Sequence, residues 1–280
     1  MIYKKLAYFR HRFYLISSMK IVKLLILFAA LIAVFPKLGQ LPAHSENSNA
    51  SATSFLAANA VMDPVSTFDL HTTQLYEKLD LKDAKLDYKI FSEALTGMYN
   101  LLAGGQILKT DIISIVDFSK PSTEKRLYVI DIKKGKLLVK SLVAHGRNSG
   151  ENWAKSFSNE PGSYKSSLGF YRCAETYIGE HGYSLRLDGL DKGLNHKARE
   201  RAIVMHGADY VCNDFCEKQG RLGRSFGCPS IPMAIHNDII DDVKGGTCLY
   251  IYAPNQGLET SSLHLNQETA AKNFSTLKQG

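Results

Sequence analysis

Short runs of β-branched and aromatic residues, separated by polar or Gly-rich segments, dominate the chain after residue 110. Runs of this composition are typical of strands. The run "RLYVIDI" is joined to "KLLVKSLVAHG" by the turn "KKGK", so these two segments predict a β-hairpin. Strands are predicted over residues 112–118, 126–132, 136–146, 183–189, 201–207 and 246–254. The pattern predicts a mainly β fold, a β-sandwich or barrel-like domain over residues 110–254, and disfavours a parallel α/β sheet.

A helical period precedes the strands. Apolar residues recur every three or four positions through "KLDYKIFSEALTGMYNLLAGG", and the pattern ends at two glycines, as helices commonly do. A shorter helix is expected around residues 72–79. Residues 68–109 are therefore interpreted as a short helical segment in front of the β domain.

The remaining segments have little apolar periodicity. Residues 37–67 are rich in Ser, Ala and Asn, which is typical of a flexible linker. Residues 255–280 form a polar tail in which "QETAAKNF" is the one hint of a helix. The sequence indicates no role for this tail.

The basic charge of the chain is concentrated at its beginning. Residues 1–36 hold six Lys or Arg residues and no Asp or Glu, so about one unit of the net charge of +7 remains elsewhere, and no nucleic-acid partner is indicated. A basic region followed by "LLILFAALIAVF" is typical of a signal peptide. We expect export to the periplasm or cell envelope from a start at Met1 or Met19, with residues 21–35 as a membrane tether if the leader is retained.

The chain has five cysteines, and the odd number leaves at least one thiol unpaired in an oxidising compartment. Cys228 is the candidate nucleophile, and a catalytic thiol needs a base because little thiolate exists at neutral pH at the ordinary pKa of about 8.5. His206 ends the apolar run "RAIVMHG", and His145 ends "LVKSLVAH" in the same way. His181 and His196 lie in polar segments and are expected at the surface.

Two stretches carry a resemblance to a known family. "RAIVMHGADYV" and "GRLGRSFGCPSIP" resemble the signature of the L,D-transpeptidase catalytic domain (YkuD-like) family, which is a His-Gly on a strand followed by Ser-x-Gly-Cys. "FSNEPGSYKSSLGFY" is similar to the upstream region of its murein L,D-transpeptidase branch. The resemblance covers about residues 112–252 and implies a barrel-like catalytic domain.

The resemblance implies a role for each matching residue. Cys228 is the implied nucleophile and His206 the general base. The third member of the implied triad is the backbone carbonyl of Gly207, which orients the imidazole as a carboxylate does in other triads.

The loop before the thiol is implied to bind the substrate. The backbone N–H groups of Gly227 and Cys228 are the implied oxyanion donors, and Ser225 belongs to the same loop. Arg224, together with Arg221, is expected to pair with a substrate carboxylate. The family's main branch usually has His where this chain has Phe226, so the donor specificity is expected to differ at that position.

The implied reaction is acyl transfer on peptidoglycan stem peptides. The thiolate attacks the carbonyl of the diamino acid at stem position three, expels the terminal D-alanine, and passes the acyl group to an amine or to water. An L,D-transpeptidase and an L,D-carboxypeptidase therefore share one mechanism here. The implied chemistry uses neither a metal nor a cofactor.

Three alternatives stay open at this level. The first is a Cys₃His zinc site made of His206, Cys212, Cys216 and Cys228, which is chemically possible because Cys212 and Cys216 have a spacing that zinc ligands allow. The second is a structural disulfide, Cys212–Cys216 or Cys173–Cys248, which leaves Cys228 alone, whereas a disulfide at Cys228 itself would be incompatible with catalysis. The third is a non-catalytic wall-binding protein that keeps the fold.

Overall fold

The computed structural model describes residues 62–254 and 256–278. Its strands are β1 (Ile112–Asp117), β2 (Leu127–Asp131), β3 (Lys136–Ser141), β4 (Gly169–Gly179), β5 (Gly182–Gly189), β6 (Val204–Ala208), β7 (Ser230–Pro232) and β8 (Thr247–Tyr252). They form one eight-stranded sheet in the order β3-β2-β1-β8-β4-β5-β6-β7. β1 pairs in parallel with β8 and β6 with β7, and the other neighbours are antiparallel.

The chain beyond β3 returns to the opposite edge of the sheet. The N–H of Ala144 donates to the carbonyl of Ser230 (2.8 Å), and the N–H of Ser225 donates to the carbonyl of His145 (3.0 Å). Gly146 forms a parallel bridge with Ser225. We call this contact between residues 144–147 and 225–230 the seam. It joins the two ends of the strand order, so the sheet is nearly closed, and the expected mainly β, barrel-like fold is confirmed.

The predicted strands are present, and two further strands were not predicted. β4 contains Arg172 and Glu175, and its pairing with β5 shifts register between Cys173 and Thr176, so the alternation of apolar and polar residues is interrupted. β7 is only three residues long, which is too short to produce a pattern. Prediction from periodicity therefore missed the strand next to the candidate thiol.

The helices are α1 (Pro64–Lys78), α2 (Tyr88–Ala103), α3 (Asn213–Gln219), α4 (His236–Val243), α5 (Leu258–Ser261) and α6 (Gln267–Leu277), with 3₁₀ turns at Met233–Ile235 and Leu263–Leu265. α1 begins inside residues 37–67, which were expected to be linker, because the Asp63 carboxylate accepts hydrogen bonds from the N–H groups of Val65 and Ser66. Proline is also favoured in the first turn of a helix. The preceding part of that range lies outside the described residues.

The polar tail has a structural role that the sequence did not indicate. Phe274 of α6 packs its ring against Phe68 of α1 and Tyr99 of α2, with centroid distances of 5.6 and 5.2 Å. Ala270 and Ala271 are buried beside it. α6 therefore holds the two N-terminal helices together.

α2 lies directly on the sheet. A Cβ at Gly97 would lie 2.0 Å from the ring of Phe170 on β4, so a glycine is required at this crossing. Within the described part of the chain, no helix has the length and apolar character needed to cross a bilayer. The leader of residues 1–36 lies outside the described residues.

Candidate active site

Cys228 and His206 lie on neighbouring segments of the sheet. The parallel pairing of β6 with β7 places His206 opposite Ser230. Two residues earlier on each segment, the N–H of Val204 donates to the Cys228 sulfur at 3.5 Å. The sulfur also lies 3.9 Å from the carbonyl oxygen of Ala202. The fold thus brings the two candidate catalytic residues to one end of one strand pair.

The loop that carries the thiol is fixed by Ser225. Its hydroxyl donates to the carbonyl of Cys228 (2.7 Å) and accepts from the N–H of Gly227 (3.0 Å). Gly227 has a φ of 129°, and a Cβ there would lie 2.8 Å from the carbonyl oxygen of Lys165. Glycine is therefore required before the thiol. The Gly227 N–H, which was expected to be an oxyanion donor, is already bonded to the Ser225 hydroxyl.

The imidazole of His206 is buried and held at both nitrogens. Nδ1 lies 2.9 Å from the carbonyl oxygen of Gly207, so it carries the proton and donates it to that carbonyl. Nε2 is then an acceptor and takes a hydrogen bond from the Ser230 hydroxyl at 2.9 Å. The oxygen of Ser230 in turn lies 3.0 Å from the Tyr210 hydroxyl. The Gly207 carbonyl, the implied third member of the triad, is thus in contact with the imidazole.

His181, which was expected to be a surface residue, contacts the candidate base. It lies in the turn between β4 and β5, and its exposed ring stacks on His206 with a centroid distance of 4.2 Å and an interplanar angle of 18°. Burial lowers the pKa of His206 below its ordinary value, and His181 and His236 lower it further, against the Gly207 hydrogen bond, which raises it. His206 is therefore neutral at pH 7.

The thiol is neutral as well. Burial raises the pKa of Cys228 above its ordinary value, while the Val204 N–H and the Arg201 guanidinium lower it. Arg201 was not identified from the sequence. It is held by neutral acceptors, which include the carbonyl oxygens of Ser158 (2.8 Å) and Lys165 (2.6 Å), and it forms no salt bridge among the described residues.

The two arginines that were expected to clamp a substrate carboxylate already hold one from the protein. Arg224 donates to Glu151 Oε1 at 2.6 Å, and Arg221 Nε lies 2.9 Å from Glu151 Oε2. Arg224 also donates to the carbonyl oxygens of Arg147 (3.2 Å) and Gly150 (3.1 Å). The hydrogen bond to Arg224 lowers the pKa of Glu151, so this carboxyl is ionised.

The second strand-end histidine, His145, has a different environment. Its Nδ1 accepts a hydrogen bond from Arg126 Nη2 at 2.8 Å, and its Nε2 lies 3.3 Å from the carbonyl oxygen of Gly150. Arg126 is fully buried and also donates to the carbonyl of Val143. Burial, reinforced by the Arg126 charge, lowers the pKa of His145 to about 4.

Phe226 lies at the surface beside the thiol, with 63% of its area exposed. Its ring lies 4.7 Å from that of Tyr164, measured between centroids. The guanidinium of Arg147 lies 5.0 Å from the Tyr164 centroid and 5.4 Å from the Phe226 centroid. We call Arg147, Tyr164 and Phe226 the aromatic clamp.

The open alternatives can be compared with this geometry. All five cysteines are free. Among the described residues, no group of three or more His, Cys, Asp or Glu side chains is close enough together to hold a metal ion. The residues considered above as zinc ligands are therefore not gathered into one site.

Comparisons with known proteins give one family. The family model described as the L,D-transpeptidase catalytic domain matches residues 82–252. Similar solved structures include an L,D-transpeptidase from Mycobacterium smegmatis, at 13% identity and a TM-score of 0.33, covering 51% of this chain and 59% of that chain. Another, from Stackebrandtia nassauensis, has 12% identity and a TM-score of 0.33, with 54% and 60% covered.

A helical cell shape determining protein from Campylobacter jejuni is also similar, at 13% identity and a TM-score of 0.35, covering 66% of this chain and 63% of that chain. The chain spans between half and three fifths of the length of the first solved structures that it matches, which range from 51% to 60%. No curated protein matches the chain.

Proposed function

The chain belongs to the L,D-transpeptidase catalytic domain family, and from this premise we propose that it is an exported cysteine acyltransferase acting on peptidoglycan stem peptides. Cys228 is the proposed nucleophile and His206 the general base. The observation that carries the proposal is the hydrogen bond from His206 Nδ1 to the Gly207 carbonyl (2.9 Å), which leaves Nε2 as the proton acceptor on the strand beside the thiol.

The resting site holds a neutral thiol and a neutral imidazole. Burial raises the pKa of Cys228 and lowers that of His206, so the thiolate and imidazolium are not formed in advance. In the proposed reaction the sulfur attacks the stem carbonyl as its proton passes to His206 Nε2. The tetrahedral intermediate then collapses to a thioester, the C–N bond breaks, and the imidazolium protonates the departing amine of D-alanine.

One rearrangement must precede this transfer. In the resting structure His206 Nε2 accepts from the Ser230 hydroxyl, and the Cys228 sulfur lies near Val204 and Ala202. Rotation of the Cys228 side chain towards Nε2, with the Ser230 hydroxyl turning towards Tyr210, makes the nucleophile–base contact. Catalytic hydrogen bonds often tighten only when substrate binds.

The Cys228 N–H is the proposed hydrogen-bond donor to the oxyanion of the tetrahedral intermediate. The Gly227 N–H is bonded to Ser225, whereas the Cys228 N–H lies near enough to its own sulfur to lower the thiol pKa. Ser225 is thus a positioning residue that fixes the loop on both sides of Gly227. In the second half of the reaction an amine or a water attacks the thioester with His206 as base, and the thiol is regenerated.

The test compares Cys228→Ala with Cys216→Ala, which removes another partly buried thiol. Full-length wild type and both variants are given a defined stem tetrapeptide, with and without an amine acceptor, and products and protein are followed by mass spectrometry. We expect a thioester or a carbapenem adduct on Cys228 in wild type and Cys216→Ala, and no transfer by Cys228→Ala. Full activity in Cys228→Ala would refute the mechanism.

The same measurement separates the alternatives. Product formed only with water identifies an L,D-carboxypeptidase, whereas product formed with the amine identifies a transpeptidase. Wild type that binds the tetrapeptide but forms neither thioester nor carbapenem adduct would be the non-catalytic wall-binding protein.

A further inference from the structure

Arg147 differs from the other arginines in the described part of the chain. Seven of the eight arginines there have polar partners. Arg126 and Arg201 bond carbonyl oxygens, and Arg172, Arg186, Arg199, Arg221 and Arg224 pair with Asp or Glu. The Arg147 guanidinium contacts the faces of two aromatic rings and makes no hydrogen bond or ion pair with the residues that the structure describes. Its N–H donors are therefore available to a ligand.

The aromatic clamp orients this guanidinium without using its donors. Cation–π contacts form with the ring faces, whereas carboxylate recognition uses the N–H groups in the guanidinium plane. Tyr164 and Phe226 lie against one another at a centroid distance of 4.7 Å, so they restrict the positions that the Arg147 side chain can take. A guanidinium group that is already oriented loses less conformational entropy when it binds an anion.

The seam places the clamp beside the thiol. Gly146 pairs with Ser225, and a Cβ at Gly146 would lie 3.0 Å from the Cα of Gly227. Arg147 follows Gly146, and Cys228 follows Gly227 in the chain. Phe226 of the clamp is thus separated from Cys228 by one residue, and Arg147 lies on the opposite strand of the seam.

An open cavity of about 660 Å³ lies beside this arginine. Its lining includes Arg147 and Tyr210, and the Tyr210 hydroxyl bonds Ser230, which bonds His206. Three guanidinium groups and one carboxylate line it, which gives a net charge of +2. Two of the guanidinium groups are shared with Glu151, so Arg147 is the one whose charge no carboxylate offsets.

We propose that Arg147, held by Tyr164 and Phe226, binds a carboxylate of the stem peptide and selects the peptide donor. The identity of the peptide rests on the proposed function, whereas the preference for a carboxylate rests on the clamp. Two carboxylates of a stem tetrapeptide are within this chemistry, the C-terminal carboxylate and the side-chain carboxylate of the diamino acid.

The binding test uses the Cys228→Ala protein, which does not consume the peptide. Calorimetry gives the Kd of the tetrapeptide, of its C-terminal amide, and of the peptide amidated at the diamino acid. We expect one amide to bind about 10- to 100-fold more weakly, since hydrogen bonds to charged groups contribute about 1.5–3 kcal/mol. Adding Arg147→Gln should weaken binding of the unamidated tetrapeptide by the same factor. The tetrapeptide and the amide that bound more weakly should then have equal Kd values.

The matched control is Arg186→Gln. Arg186 also lies at the surface against an aromatic ring, Tyr177 at 4.3 Å, but it pairs with Glu175 instead of facing the cavity. The Arg186→Gln substitution should leave every Kd unchanged. Phe226→Leu, which keeps the apolar bulk and removes the ring, should weaken the acid form several-fold and leave the amide unaffected. A Kd that is unchanged by Arg147→Gln, or no binding of any peptide, would overturn the inference.

Turnover by proteins that retain Cys228 distinguishes the two proposals. We expect Arg147→Gln to raise KM about 10-fold or more and to change kcat much less, as a binding residue does. Turnover that is independent of Arg147 would overturn the carboxylate inference and leave the proposed function intact. Acid-selective binding through Arg147 without any turnover would refute the proposed function and leave the inference intact.

Discussion

His145 and His206 have the same sequence context, since each ends an apolar run and precedes a glycine, but the two regions around them differ. At His145 a buried guanidinium donates to Nδ1, and Nε2 faces the carbonyl of Gly150. At His206 a backbone carbonyl accepts from Nδ1, and Nε2 accepts from a serine hydroxyl that can turn away. The proton thus sits on opposite nitrogens of the two rings.

The difference shows how a neighbouring strand determines what a histidine can do. Burial, together with the Arg126 cation, makes protonation of His145 unfavourable, and Arg126 also engages the nitrogen that would accept the proton. Among the described residues, no cation lies in hydrogen-bond contact with His206. Its Nε2 accepts from the neutral Ser230 hydroxyl, and the exposed ring of His181 stacks on the imidazole. Of the two rings, only His206 therefore suits the role of general base in the proposed mechanism.

The largest expected effect comes from replacing each ring with asparagine. His206→Asn removes the acceptor at Nε2, so kcat/KM should fall on the order of 10³-fold, since general-base catalysis contributes about 10²–10⁴-fold. His145→Asn keeps an acceptor for Arg126 and should retain activity within about 10-fold at pH 7. Steady-state rates with a stem tetrapeptide check this, and equal losses in the two variants would break the comparison.

The next effect is on stability at acidic pH. Unfolded His145 binds a proton near pH 6.5, whereas the folded residue binds one only near pH 4. Folding stability from His145 is therefore present above pH 6.5 and is lost as the pH falls towards 4. The loss is about 3 kcal/mol.

Urea unfolding from pH 7 to pH 4 measures this loss. His145→Asn does not titrate, so its free energy of unfolding should fall with pH by about 3 kcal/mol less than that of wild type. If the free energies of unfolding of wild type and His145→Asn changed equally with pH over the whole range, His145 would not be held neutral by burial and Arg126.

The two glycines that follow the histidines should differ by a smaller amount. A Cβ at Gly146 would lie 2.5 Å from the carbonyl oxygen of Tyr164, whereas one at Gly207 would lie 2.7 Å from the His236 side chain. Backbone cannot move aside as easily as a side chain. Gly146→Ala should cost about 3 kcal/mol of unfolding free energy and Gly207→Ala about 1 kcal/mol, as judged by urea titration. The reverse order would contradict this account of the seam.

The smallest expected effect is that of His181→Ala. Removing the stacked ring reduces the burial of His206 and removes the electrostatic effect of His181, and that burial and that effect both lower the pKa of His206. The acid limb of the kcat/KM profile should move to higher pH, with about a threefold lower rate at pH 6. His196→Ala, which changes an exposed histidine elsewhere, is the control. An unshifted acid limb would exclude an influence of His181 on the base.

Sequence patterns predicted the parts of the fold that are buried on both faces or periodic. β1 is buried at all six positions, and four of its six residues are Ile or Val. β4 was missed because Arg172 and Glu175 face outward and a register shift interrupts it. The role of α6 was missed because Phe274 is buried only by packing against Phe68 and Tyr99, which lie far away in the sequence.

The candidate site was predictable through its motif and not through its contacts. Cys228, His206 and Gly207 lie in the segments that carry the family resemblance. Ser230 and His181 reach the imidazole only through strand pairing and a hairpin turn, which no local pattern specifies. Arg147, Arg221 and Arg224 also look alike in the sequence, and only the tertiary position of Glu151 shows that Arg221 and Arg224 are already paired.

The seam has a consequence for how the protein acquires its site during folding. Gly146 and Ser225 are far apart in the chain, and contacts of high sequence separation carry a large loop-closure entropy. We therefore expect the hairpin of β2 and β3 to form before the loop of Cys228 docks on its extension. In a refolding experiment, carbapenem labelling of Cys228 should lag behind amide protection in β2. A partly folded chain would then carry the motif without the geometry on which the proposed chemistry depends.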